Sequence, residues 1–188
     1  MLVWRVTLLL LCMVCFFSFA WALRAHFVSN RMSLFMRFTA VVGIVSASLQ
    51  TMALFDIGSF EPIRSTCSAL LYAASLATFW WTVSATRSRR LSVAFSVDQP
   101  THLLQAGPYR YVRHPFYAAY SLFWIAGVVA TPRWYLFPSI TVMLVCYFCA
   151  ARMEEAKFAN SALSGVYESY RSQTGMFVPR LKSRRDAC

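Results

Sequence analysis

The stretch QAGPYRYVRHPFYAAY, residues 105–120, crowds a turn signal, two arginines, a histidine and several aromatic rings against the start of an apolar run. Gly107-Pro108 forces a turn. Pro115 suits the first turn of a following helix, where its missing N–H costs nothing. His114 then falls at the helix start, beside free backbone N–H groups and a partial positive charge that favour an anion. Arg110, Arg113 and His114 add donors there, and Tyr109, Tyr111, Phe116 and Tyr117 add aromatic surface, so the stretch suits an anionic, partly flat ligand. Read one residue at a time, the arginines also obey the rule that cytoplasmic loops are basic, and the tyrosines also fit an interfacial belt.

A second stretch, ARMEEAKFANSALSGVYESYRSQTGMFVPRL, residues 151–181, carries the adjacent carboxylates Glu154 and Glu155. On a helix they point about 100° apart, so at most one faces the His114 region. Pairing with Arg152 and Lys157 on a solvated surface is the competing reading.

The elements that must position these residues are membrane helices. Of the 188 residues 59% are hydrophobic and only 13% charged, too apolar for an ordinary soluble domain. Spans of roughly 20 apolar residues are required to cross a bilayer, and five are expected, at 2–23, 38–57, 66–85, 115–130 and 134–151. The last two, separated by Thr131-Pro132-Arg133, read as a tight helical hairpin. Residues 1–85 read as a three-helix scaffold, in which Gly43, Ser46, Ala47, Ala69, Ala73, Ala74 and Ala77 let helices approach closely. Residues 86–188 add the polar loop, the hairpin and a polar tail to make a single membrane domain. The hairpin returns the chain to its starting side, so the His114 and Glu154 regions emerge next to each other.

Fifteen of the 18 basic residues fall in the loops after the first and third spans and in the tail. The positive-inside rule then places the amino terminus outside and the carboxyl terminus in the cytoplasm. The net charge of +11 is thereby mostly topological. No nucleic-acid partner is expected, whereas membrane lipids with anionic head groups are. Cleavage of a signal peptide after Ala20-Trp21-Ala22 would put the Arg24, Arg31 and Arg37 loop outside, against the same rule. The pairs Cys12-x-x-Cys15 and Cys146-x-x-Cys149 lie inside apolar spans without His or carboxylate companions, so no metal site is expected.

Read together, GPYRYVRHPFY and EEAKF…YESYR…FVP resemble the isoprenylcysteine carboxyl methyltransferase family, part of a wider group of membrane methyltransferases that includes phospholipid N-methyltransferases. The resemblance covers roughly residues 95–180. It implies an all-α integral membrane enzyme that binds S-adenosylmethionine at the cytoplasmic membrane surface and takes a lipophilic small-molecule, lipid or prenylated acceptor from the bilayer. Carried over by position, Tyr109, His114, Pro115, Tyr117, Glu155, Tyr167 and Tyr170 would hold the cofactor. Arg113, Glu154 and Glu155 would act on the acceptor or the reacting centre, with Arg113 orienting an anionic group. Ala119 stands where the family commonly has glycine, and Met176 where a basic residue is frequent. The function expected is methyl transfer to a lipophilic acceptor, a carboxylate first. A phospholipid or other lipid amine is the alternative within the same fold, and a cofactor-free membrane scaffold or adaptor the alternative from another class.

Overall fold

In the computed structural model the chain is described at residues 2–26, 34–56, 61–87 and 102–180. These residues form six α-helices: α1 (Leu2–Trp21), α2 (Leu34–Phe55), α3 (Pro62–Thr86), α4 (Pro115–Ala130), α5 (Leu136–Ala159) and α6 (Ser164–Gln173). A π-helical turn, Ala22–His26, extends α1, and a 3-10 turn, Gly107–Arg110, precedes α4. The expected loop basics Arg31, Arg89 and Arg90, the tail basics Lys182, Arg184 and Arg185, and Cys188 lie outside the described residues.

The tightest pairing is α3 on α4, and its cause is visible in the spacing of the buried residues. Ser65, Ser68, Tyr72, Ser75, Phe79, Thr82 and Thr86 of α3 recur at alternating intervals of three and four, which keeps one stripe against a neighbouring helix. Facing it are Phe116, Ala119, Phe123 and Ala126 of α4. Small residues opposite small residues bring the backbones close, and the serines then donate across the gap: Ser68 Oγ to the Ala126 carbonyl at 2.8 Å and Ser75 Oγ to the Ala119 carbonyl at 2.7 Å. Ala119, in place of the family's frequent glycine, is fully buried and still admits this contact. Of the alanines expected to mediate close approach, Ala73, Ala74 and Ala77 instead face outward, because the serine stripe occupies the buried side of α3.

A second contact set joins four helices. Gln50 of α2 donates through Nε2 to the Tyr72 hydroxyl of α3 at 2.8 Å and lies 3.5 Å from the Phe123 carbonyl of α4, while Cys12 of α1 touches the same amide. A Cβ on Gly127 would stand 2.0 Å from Gln50 Cδ, so glycine there is what admits the amide.

Pairings along the helices fix their directions. Ser68 meets Ala126 and Ser75 meets Ala119, so α3 and α4 are antiparallel. Cys15 meets Tyr72 and Phe19 meets Phe79, so α1 runs with α3. Gly43 meets Met143, and Arg133 before α5 meets Asp56 after α2 at 2.7 Å, so α2 opposes α5. Direction thus alternates from α1 to α5, and the start of α4 and the end of α5 lie at one end of the bundle.

Among the described residues, three helical stretches are long and apolar enough to cross a membrane: Leu2–Arg24, Leu34–Phe55 and Leu136–Ala159. The α4 helix is apolar but has only 16 residues. The α3 helix has 25, but its inward Ser and Thr stripe dilutes its hydropathy. The α5 helix runs two turns past the expected end at residue 151, because Glu154 to Ala159 are mostly strong helix formers. Glu154 and Glu155 are therefore carried by α5 itself rather than by a segment beyond it.

Gly127→Ala is expected to destabilise the bundle by about 1–3 kcal/mol through overpacking against Gln50. Thermal denaturation in detergent should show the loss, and Gln50→Ala in the same chain should recover part of it.

Candidate active site

Two backbone segments meet at the shared end of α4 and α5. Gly107 takes φ of +60°, and a Cβ on it would stand 2.7 Å from Ala85 Cβ, so a glycine is needed both to turn the loop and to seat it on the end of α3. From there the chain runs beside the tail as one parallel bridge, Val112 to Gly175. The Arg113 amide donates to the Gly175 carbonyl at 2.8 Å, the His114 amide to the Met176 carbonyl at 3.1 Å and the Gly175 amide to the Tyr111 carbonyl at 3.3 Å. Met176 contributes its carbonyl to this pairing, which does not depend on a basic side chain at that position. Immediately after the bridge the tail turns so sharply that a Cβ on Gly175 would overlap the Val178 carbonyl. This turn brings Phe177 to 6.1 Å from the His114 ring, which also lies 5.8 Å from Tyr117.

The charged groups gather around His114. Arg113 Nε lies 2.8 Å from Glu155 Oε1, with both side chains buried. Its Nη1 donates to the Thr174 carbonyl and, at 3.3 Å, to the Arg171 carbonyl. His114 presents Nδ1 to Glu154 Oε2 at 3.2 Å and Nε2 to Glu155 Oε1 at 3.4 Å. The Tyr117 hydroxyl donates to Glu154 Oε1 at 2.7 Å. Both adjacent glutamates therefore reach His114, where the sequence predicts at most one: Glu155 is the more buried, and Glu154 keeps 28% of its side chain exposed. Glu155 Oε2 is buried without a hydrogen-bond partner, with Arg152 and Arg171 at 3.9 Å and 4.0 Å.

Burial works against a charged imidazole at His114, but hydrogen bonds and charge from Glu154 and Glu155 outweigh it and raise its pKa above the ordinary 6.5. Burial, then the charge of Glu154, with smaller effects from Tyr170 and Tyr120, pushes the Tyr109 phenol well above its usual value. The Tyr170 phenol is pushed up to about 12 by burial, and its hydroxyl donates to the Tyr109 carbonyl at 2.7 Å.

Of the residues expected from the sequence, Tyr109, Arg113, His114, Tyr117, Glu154, Glu155 and Tyr170 come together at this end of the bundle. Pro115 is fully buried at the first position of α4, where it shapes the backbone. Tyr167 stacks on Phe158 at 4.8 Å, a layer behind the His114 ring. Sequence reasoning missed Thr174, Gly175 and Phe177, which dock the tail, and Tyr120 and Tyr147, which lie beneath Tyr117. The spacing offered a signal for the last two: Tyr120 follows Tyr117 by one helical turn, and Tyr147 precedes Glu154 by two.

Removing one partner of a buried ion pair leaves the other charge uncompensated. Arg113→Ala is expected to cost about 3–5 kcal/mol of stability, with limited proteolysis showing early release of the tail; Arg113→Lys should keep the charge but lose the second carbonyl bond and fall between. For His114 the folded pKa is the raised one, so its stabilisation is complete below about 6.5 and lost as pH rises through the folded value. The melting temperature should therefore drop as pH rises above about 6.5, and His114→Asn should flatten that slope.

Comparison with known families places this geometry. The phospholipid methyltransferase family model matches residues 63–164, more than half of the 188-residue chain. A search of the curated proteins gives no match. The matched stretch runs from the start of α3 to the start of α6 and so includes the serine stripe, the Gly107 turn, His114 and both glutamates. The chain belongs to the phospholipid methyltransferase family, and with its apolar helices it is a membrane methyltransferase of the group that also contains the isoprenylcysteine carboxyl methyltransferases.

Proposed function

We propose that this enzyme methylates the amine of a membrane lipid head group with S-adenosylmethionine as donor, at the cytoplasmic surface. The observation that carries the reading is the division of labour between the charges. Arg113, the cation a carboxylate acceptor would need, is engaged by Glu155 and the tail carbonyls, while the more exposed charged group is an acid, Glu154, held by the Tyr117 hydroxyl and His114. An acid beside aromatic rings suits cationic groups. The family match supports the same choice over a prenylcysteine carboxylate. The cytoplasmic side is supported by the basic residues of the loops and tail.

The residues present fit the donor chemically. Glu154 offers a carboxylate for an ammonium group. The start of α4, which has no side-chain cap hydrogen bond, offers backbone N–H groups and a partial positive charge for a carboxylate. Tyr109, Tyr117 and Phe177 supply flat apolar surface. When bound, S-adenosylmethionine supplies an electrophilic methyl on a sulfonium. Neighbouring rings of Tyr117 and Phe177 and carboxylates at both of its nitrogens hold His114 in place, so the wall of the site is preorganised. Alignment of this kind is worth up to about 7–11 kcal/mol in a displacement reaction. The acceptor amine must arrive neutral. Its proton would have to leave before methyl transfer, and Glu154, the acid bonded to Tyr117, would be the group placed to receive it.

Calorimetry with S-adenosylhomocysteine on the purified protein in lipid should show binding, weakened roughly tenfold or more by His114→Ala and by Glu154→Gln, about 1.4 kcal/mol each. Transfer of labelled methyl to phosphatidylethanolamine but not to a farnesylcysteine analogue is the expected acceptor result. Transfer only to the latter would move the assignment to a carboxylate, and a folded wild type that binds no S-adenosylhomocysteine would leave a scaffold role ahead.

A further inference from the structure

Tyr120 lies one turn deeper along α4 than Tyr117, on the same side of the helix. Its ring is enclosed by aromatic side chains from three other helices: Phe19 of α1 at 4.7 Å, Phe79 of α3 at 6.3 Å and Tyr147 of α5 at 5.6 Å. It also packs on Phe116 and Tyr117 of its own helix. A tyrosine so surrounded does not belong to an outer interfacial belt, whose rings point toward lipid head groups from the bundle surface. Its side chain is nonetheless only partly buried.

The hydroxyls around it are committed. Tyr117 donates to Glu154, Trp124 donates to the Tyr147 hydroxyl at 3.0 Å, and the Tyr72 hydroxyl accepts from Gln50. The Tyr120 hydroxyl has no hydrogen-bond partner among the described residues. Its setting combines the two properties an acceptor contact requires. The buried rings of Phe79 and Phe116, with Phe19, offer apolar surface around it, and Tyr117, bonded to Glu154, lies one turn above. A phenol between them can donate to a phosphate ester oxygen or accept from an amine, and it carries no charge that would have to be buried.

We propose that Tyr120 is an acceptor-binding residue, whose hydroxyl hydrogen-bonds the polar head group of the lipid as that head group passes from the bilayer side toward Glu154. This rests on the methyltransferase reading and adds to it the residue that selects a hydrogen-bonding lipid head over an apolar chain end.

Tyr120→Phe tests it cleanly, because the substitution keeps the ring contacts and removes a hydroxyl that binds nothing in the protein. The protein in nanodiscs is assayed with labelled S-adenosylmethionine and graded phosphatidylethanolamine, beside S-adenosylhomocysteine calorimetry and a melting curve. The expected result is a KM for the lipid raised about fivefold or more, with S-adenosylhomocysteine affinity and melting temperature unchanged. An unchanged lipid KM would overturn the assignment. So would a parallel loss of S-adenosylhomocysteine affinity, which would put Tyr120 on the donor side. Wild type that binds S-adenosylhomocysteine but transfers no methyl to phosphatidylethanolamine would refute this head-group contact while leaving the methyltransferase reading standing. Absence of both would remove the reading on which it depends.

Discussion

The arrangement of the site depends on one buried ion pair. Arg113 lies in the loop before α4, and Glu155 lies on α5, yet the planar fork of the guanidinium meets the carboxylate and two tail carbonyls at once. A charge buried at this depth is tolerable only while its partner and hydrogen bonds are in place. That condition makes three segments mutually dependent: the loop, the end of α5 and the tail after α6. Glu154, one residue earlier, meets the same histidine at its other ring nitrogen.

The helices below supply the rigidity on which that pair relies. Serines in a membrane bundle are useful because they are small enough for close approach and can donate to a facing carbonyl, and α3 uses them in both ways against α4. The Gln50 amide pins α2 to the same pair of helices through a notch that only Gly127 leaves open. With α3 and α4 fixed in this way, the position of His114 follows from the first turn of α4. At the opposite end Arg133 and Asp56 tie the α4 to α5 turn to α2, although that exposed pair adds little by itself.

Two solvents meet at this end of the bundle. The polar loop and tail offer acids, amides and a protonatable histidine to a water-soluble donor. Tyr117, Tyr120 and Tyr147 form an aromatic floor that grades into the apolar helices. The proposed methyl transfer between a soluble sulfonium and a lipid would use such a boundary, since neither reactant is at ease in the other's medium.

The sequence by itself determined the helical membrane character, the hairpin of α4 and α5, the turn at Gly107-Pro108 and the gathering of His114 with a glutamate of the second stretch. Each of these is written in local signals: apolar runs, breakers, and the return of a hairpin to its starting side. Only the tertiary structure brought both glutamates to His114, one at each ring nitrogen, because the position of the ring between them is set by the docking of the loop and not by helical spacing. The inward turn of the serines of α3, in place of its alanines, was equally undecided, since both sets recur at helical spacing and the partner helix makes the choice. The docking of Thr174 to Phe177 beside Tyr111 to His114 joins residues about sixty positions apart through backbone hydrogen bonds, and main-chain pairing of that kind leaves almost no mark on side-chain identity.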